Sequence, residues 1–164
     1  MSSARLRAFV RALAGQRLPA LICDRDAFDR NAAALGRRAG GLPIRVASKS
    51  VRCPALLERV LEAEGFHGVL CFSVLEAVRL SERGIDDLVV AYPSVETSEL
   101  AAAAARIADG ARIVLMVDDA AQLGPIEAAA GEAGVAMPLC IDMDLSLPVG
   151  GIWFGVRRSP IRTP

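Results

Sequence analysis

A chain of 164 residues with 19 basic and 19 acidic side chains carries no net charge. That length suits one domain, and a 53% apolar share supplies enough surface for a core, which excludes wholesale disorder. With zero net charge and 4% aromatics there is neither the basic footprint nor the stacking platform of a nucleic-acid binder. No apolar run approaches the ~18 residues of a membrane span, so neither nucleic acid nor membrane is an expected partner. Arg5, Arg7 and Arg11 interrupt the N-terminal apolar stretch, which the core of a secretory signal does not tolerate. Cysteines at 23, 53, 71 and 140 form no CxxC pair, and His67 is the single histidine, so no zinc spacing is visible and no metal site is expected. Apolar neighbours such as Ile22, Leu70 and Leu139 point to reduced, buried thiols in a cytoplasmic protein.

Residues 4–14 read as an amphipathic helix, with Leu6, Phe9, Val10 and Leu13 on one face and Gly15 as its stop. We take 1–18 as an N-terminal helical segment and 19–164 as the domain proper. Asp24 or Asp26 caps a second helix that runs through Phe28 and Leu35 to Gly40-Gly41. A period then sets in. Short β-branched runs begin near Ile44, Gly68, Asp87, Arg112 and Pro138, 19 to 26 residues apart. Helical patterns over 54–64, 74–83, 95–108 and 119–133 lie between them and stop at Gly65, Gly84, Gly110 and Gly134, the last one broken at Gly124-Pro125.

Alternation of strand and helix predicts a parallel α/β sheet covered by helices. An open doubly wound sheet and a (β/α)8 TIM barrel both fit, and the even spacing without a long crossover favours the barrel. About five strands are present where a barrel needs eight and ~250 residues. The expectation is therefore a partial, incomplete barrel, the N-terminal part of a larger protein.

Among the 19 basic residues Lys49 is the single lysine. It stands at the C-terminal end of the first strand of the repeat, the end at which barrels build active sites. Partial desolvation there would lower its pKa and free the amine to attack a carbonyl, either of a substrate or of pyridoxal phosphate (PLP). A solvated lysine in a strand-to-helix loop is the plain alternative.

A cap Asp, a helix containing Asn31, a double Gly, a strand ending in Lys49, and then Cys71-Phe-Ser-Val-Leu-Glu-Ala77 and Gly84-Ile-Asp-Asp-Leu-Val-Val-Ala-Tyr-Pro93 follow in order. This pattern resembles the N-terminal domain of fold-type III PLP enzymes, the alanine racemase N-terminal domain superfamily. The likeness is strongest to the D-threonine aldolase and D-serine dehydratase branch, the amino acid deaminase/aldolases, and it runs from about Leu18 to the end of the chain. It implies that Lys49 is the catalytic, internal-aldimine lysine and that pyridoxal 5'-phosphate is the cofactor. It implies a small D- or β-hydroxy-amino acid as substrate, retro-aldol cleavage or β-elimination as the reaction, and a homodimer as the assembly. In that branch a divalent metal is held by C-terminal His and Cys residues; this chain has no such cluster, so the metal belongs to a part not present here. The ring-nitrogen arginine and most phosphate-binding backbone likewise come from later strands, so little turnover is expected from these 164 residues alone. Racemases carry a tyrosine four residues after the lysine where this chain has Cys53, which weakens the racemase reading.

The remaining candidates are weaker. Arg52 suits a phosphate or carboxylate through its bidentate fork, or is a solvated arginine beside a helix N-terminus. Ser73-Val-Leu-Glu76 reads as a capping box. Asp142 and Asp144 share side-chain parity on a strand and face a substrate, or pair with Arg157 or Arg158, themselves candidate carboxylate clamps. Tyr92 ends the third strand and lines a pocket or a rim. Two other readings remain beside the lyase: a non-catalytic PLP-homeostasis or racemase-like protein, and an inactive fragment or interaction module.

Overall fold

The computed structural model describes residues 3–155. Its elements in chain order are α1 (Ser3–Leu13), α2 (Arg25–Arg38), β1 (Ile44–Ala47), α3 (Ser48–Val51), α4 (Pro54–Leu61), β2 (Phe66–Cys71), α5 (Val74–Glu82), β3 (Leu88–Val90), α6 (Thr97–Ala108), β4 (Ile113–Val117), α7 (Leu123–Ala133), β5 (Leu139–Ile141), β6 (Leu147–Val149) and β7 (Ile152–Phe154). Strands β1 to β5 form one parallel sheet in the order β1-β2-β3-β4-β5. An order that never reverses, joined by the right-handed connections that parallel strands adopt, places the crossover helices on one face. A doubly wound sheet must reverse its order to cover both faces. The arrangement is that of a partial TIM barrel, five strands of (β/α) repeat, and it decides between the two expected architectures.

Register and burial identify the two faces. Val46, Val69, Leu88 and Ile113 stand in one row across four strands, and Cys71, Val90 and Leu115 in the next. All seven are buried with relative exposures of 9% or less, beneath the helices. The alternate row of Ala47, Leu70, Val89 and Val114 faces the other way and is only half-buried. That uncovered face is the barrel interior. Ala103 and Ala104 of the alanine run are fully buried in α6, where the missing side-chain bulk lets the helix approach its neighbours.

Local signals explain the helix boundaries. Asp24 accepts the Ala27 N–H at 2.8 Å and caps α2. Helix α7 ends on Gly134, whose φ of 66° is the left-handed cap conformation. The break expected at Gly124-Pro125 falls one turn earlier, in a 3-10 turn over Ala120–Gln122 capped by Asp119. Pro125 lies in the first turn of α7, where the N–H it lacks would have no helical partner, so it starts the helix instead of breaking it. Outside the barrel helices, α1 buries none of its residues, and Arg5 ties it to Asp24 at 2.7 Å. Helices α2 and α4 are clamped by Arg59, whose Nε donates to Asp29 Oδ1 at 2.7 Å while Nη2 donates to Oδ2. Strands β6 and β7 form an antiparallel hairpin turning on Gly150 and Gly151, both at positive φ.

All four cysteines are free, and the expectation of buried thiols holds for Cys71 alone: Cys23 is exposed, and Cys53 and Cys140 are half-buried. An apolar neighbour in sequence does not bury a residue that precedes a helix or lies on an uncovered strand. Burial under the helices, followed by the nearby Glu76 charge, pushes the Cys71 thiol from its ordinary value up to about 12. Above the thiol's unfolded pKa the unfolded chain releases a proton that the folded chain retains, so this group makes stability fall as pH rises toward 12. Between about pH 8 and about pH 10, with thiols kept reduced, urea unfolding of the parent chain should lose ~1.4 kcal/mol more than that of Cys71→Ala. Equal losses in the two chains would refute the assignment.

Candidate active site

Strand β1 does not run as far as Lys49. It ends at Ala47, and Ser48–Val51 form the single helical turn α3. A turn of four residues has no stability of its own, so packing and caps hold it. The Ser48 carbonyl accepts the Arg52 N–H at 2.7 Å, and Arg52 closes the turn in the left-handed region at φ 49°. The Arg52 side chain folds back, Nε donating to the Lys49 carbonyl at 3.2 Å.

The Lys49 amine reaches across the C-terminal ends of the strands. Its Nζ donates to the Tyr92 hydroxyl at 3.1 Å and stands 5.3 Å from the centroid of that ring. Tyr92 follows β3 and packs against Phe72, which follows β2, with ring centroids 5.0 Å apart and tilted by 57°. Three consecutive strands thus deliver Lys49, Phe72 and Tyr92 to one spot. The desolvation expected for Lys49 is not found: the residue is exposed, because the barrel face it borders is uncovered. A cleft between α4 and α5 opens beside it, lined among others by Lys49, Arg52, Cys53, Phe72, Glu76 and Arg79. The cluster therefore offers an accessible amine, an aromatic wall and guanidinium groups able to hold an anion.

The expected capping box is half formed: its reciprocal bond, from the Ser73 N–H to the Glu76 carboxylate, is replaced by one from the Phe72 N–H. Ser73 accepts the Glu76 N–H at 3.2 Å, as the capping box requires. The Glu76 carboxylate, however, takes the Phe72 N–H at 2.6 Å and the Ser48 hydroxyl at 2.7 Å. Sequence spacing reveals the first half of this arrangement; the contact with Ser48, 28 positions earlier, has no local signal.

Of the other candidates, Asp142 and Asp144 follow β5. Strand β5 ends at Ile141, so Asp142 and Asp144 do not share a strand face and the parity argument fails. Asp142 is half-buried and donates its N–H to the Val117 carbonyl at 2.9 Å. Asp144 is 4% exposed and accepts the Ser146 N–H at 2.9 Å. Arg157 and Arg158 lie outside the described residues. Among the described residues no three His, Cys, Asp or Glu side chains gather to hold a metal ion, and no helix is long and apolar enough to cross a membrane.

Comparison with known proteins places the chain in a family. D-threonine aldolase from Arthrobacter sp. is 29% identical over 129 residues, which cover 77% of this chain and 34% of that protein. The 3-hydroxy-D-aspartate aldolase of Paracoccus denitrificans is 30% identical over 131 residues, covering 77% of this chain and 33% of that one. The chain thus spans about a third of the length of the curated relatives it matches. Among solved structures, D-threonine aldolase from Filomicrobium marinum superposes with a TM-score of 0.71 at 32% identity, covering 88% of this chain and 38% of that one. A variant of D-threo-3-hydroxyaspartate dehydratase superposes with a TM-score of 0.69 at 25% identity, covering 79% and 34%. The sequence model of the family "Alanine racemase, N-terminal domain" matches residues 23–154, and the chain belongs to that family.

Proposed function

We propose that this chain carries the lysine-bearing part of a PLP-dependent amino acid lyase, with Lys49 as the residue that holds the cofactor. One observation carries the reading: the only lysine stands where three successive strands end, its amine 3.1 Å from Tyr92 Oη. Membership of a family of PLP enzymes, and relatives named as aldolases and a dehydratase, support it. The substrate we propose is a small D- or β-hydroxy-amino acid, and the reaction retro-aldol cleavage or β-elimination. We place the enzyme in the cytoplasm.

The residues present fit the group. Lys49 would hold PLP by condensing its amine with the aldehyde, with loss of water, and its exposure leaves the amine open to approach. When bound, PLP supplies an electron sink for bonds at the substrate Cα. Tyr92 holds the Lys49 amine over the strand ends, and the Phe72 ring against it restricts where the tyrosine can move. Arg52, whose Nε donates to the Lys49 carbonyl, would attract the phosphate or the substrate carboxylate through its remaining guanidinium N–H groups. With its amine free, Lys49 would be the group able to take a proton from the substrate Cα.

The test is direct. The chain is incubated with PLP, reduced with borohydride and digested, and the pyridoxyl group is located by mass spectrometry. Saturable modification of Lys49 is expected. Modification confined to Met1, or to Lys49 without saturation, would overturn the reading.

A further inference from the structure

We propose that Glu76 is a positioning residue for the Lys49 amine, acting through the Ser48 hydroxyl. The inference rests on the reading of Lys49 as the cofactor lysine. Ser48 is fully buried and opens the turn whose next residue is Lys49. Its hydroxyl has one proton and two acceptors in reach, the Leu70 carbonyl at 3.2 Å and the Glu76 carboxylate at 2.7 Å. The closer, charged acceptor takes it. Glu76 is itself fixed from two sides. Its backbone belongs to α5, and the same Oε2 accepts the Phe72 N–H at 2.6 Å. One carboxylate oxygen therefore joins three pieces: the helix after β2, the residue that begins the aromatic wall, and the turn that carries Lys49.

The turn needs such an anchor. Four helical residues cannot hold their own orientation, and α3 has no side-chain N-cap, since Ala47 occupies that position. Lys49 has four rotatable side-chain bonds beyond its Cα. If the turn rotates, the amine leaves Tyr92 and faces the cleft or solvent. The Ser48–Glu76 bond fixes the base of that lever.

Capping alone makes a different forecast, and Ser73 separates the two. Ser73 caps α5 from its N-terminus, and none of its hydrogen bonds described here involves Ser48. The experiment uses the full chain and four variants: Glu76→Ala, Glu76→Gln, Ser48→Ala and Ser73→Ala, with folding confirmed by circular dichroism. Two rates are read on each. One is modification of Lys49 by PLP and borohydride, which needs a site. The other is acetylation of Lys49 by acetic anhydride, which needs only an accessible amine.

Glu76→Ala and Ser48→Ala are each expected to slow PLP modification about tenfold, the cost of loosening a reacting group by a fraction of an ångström. Acetylation should stay within about twofold, since the amine remains exposed. Glu76→Gln keeps an oxygen acceptor for both donors and should stay within about threefold of the parent. Ser73→Ala should lower the melting temperature and leave both rates near the parent's. The inference is overturned if Ser73→Ala slows PLP modification as much as Glu76→Ala, if acetylation falls in step with it, or if neither Ser48→Ala nor Glu76→Ala slows it. Should Glu76→Ala not fold, Ser48→Ala against Glu76→Gln decides. Absence of saturable modification in the parent chain overturns the cofactor reading and this inference together, and is seen without any variant.

Discussion

Replacement of Lys49 by arginine should abolish saturable attachment of PLP while leaving the fold intact. Arginine keeps the positive charge and much of the length, and its guanidinium can still donate toward Tyr92. It cannot lose a proton near neutral pH, so it offers no lone pair to an aldehyde carbon. In the Lys49→Arg chain the N-terminal amine is the last primary amine, because the sequence has no other lysine. Reduction with borohydride after exposure to PLP should then modify Met1 alone, with the modified fraction at low PLP falling at least ~100-fold. Lys49 is exposed, so the free energy of unfolding should change by no more than ~0.5 kcal/mol. Undiminished modification of the variant, mapped to any internal residue, would remove Lys49 from its assigned role. A variant that unfolds would show instead that the amine contributes mainly to structure through Tyr92.

Much of the scaffold was legible because its signals are local. Five apolar β-branched runs and the helices between them follow from periodicity and from glycines such as Gly65, Gly84, Gly110 and Gly134, all at positive φ. Asp24 and Asp26 both marked the start of α2, and it is Asp24 whose side chain accepts a free helical N–H. Sequential strand order was also accessible, since an even repeat leaves no long crossover between strands. The site was legible in part. A lone lysine at a strand end stands out, and Tyr92 at the end of β3 was a candidate, but their meeting depends on the register of three strands. The Ser48–Glu76 bond spans 28 positions and was invisible for the same reason. Turn α3 was missed because four residues make no periodic pattern. The parity argument for Asp142 and Asp144 failed because β5 is only three residues long and ends before both. Burial of thiols was misjudged because sequence neighbours do not reveal which face of the sheet is covered.

Gly68→Ala should destabilise the chain by about 3 kcal/mol and disturb the site from the far end of the sheet. On the uncovered face, the Arg45 guanidinium of β1 reaches across β2 to Asp87, with Nη2 at 2.9 Å from Oδ1 and Nη1 on the Asp87 carbonyl. Gly68 is the notch that lets it cross. A Cβ there would overlap both the Asp87 backbone oxygen and the guanidinium. The φ of 65° at Gly68 adds a left-handed backbone that alanine adopts at a cost of ~1–2 kcal/mol. Gly68 also lies within the irregular register between β1 and β2, where the Ile44–Phe66 and Val46–Val69 pairs leave one extra residue on β2. Gly65→Ala is the internal control. Its φ is 85° and nothing lies within 4 Å of its would-be Cβ, so it carries the backbone cost alone. Thermal unfolding should therefore place Gly68→Ala roughly 6–12 °C below the parent and Gly65→Ala nearer to it. Equal shifts would mean that the crossing is not sterically demanding. The consequence for the site follows from topology: the Arg45–Asp87 bridge spans β1 and β3 on one side of β2, and Lys49 and Tyr92 follow the other ends of those same two strands. Widening β1 from β3 at the bridge should draw the amine from the hydroxyl, so Gly68→Ala should slow PLP modification of Lys49 more than Gly65→Ala does. If Gly68→Ala unfolds earlier yet modifies at the parent's rate, the bridge stabilises the sheet without setting the geometry of the amine.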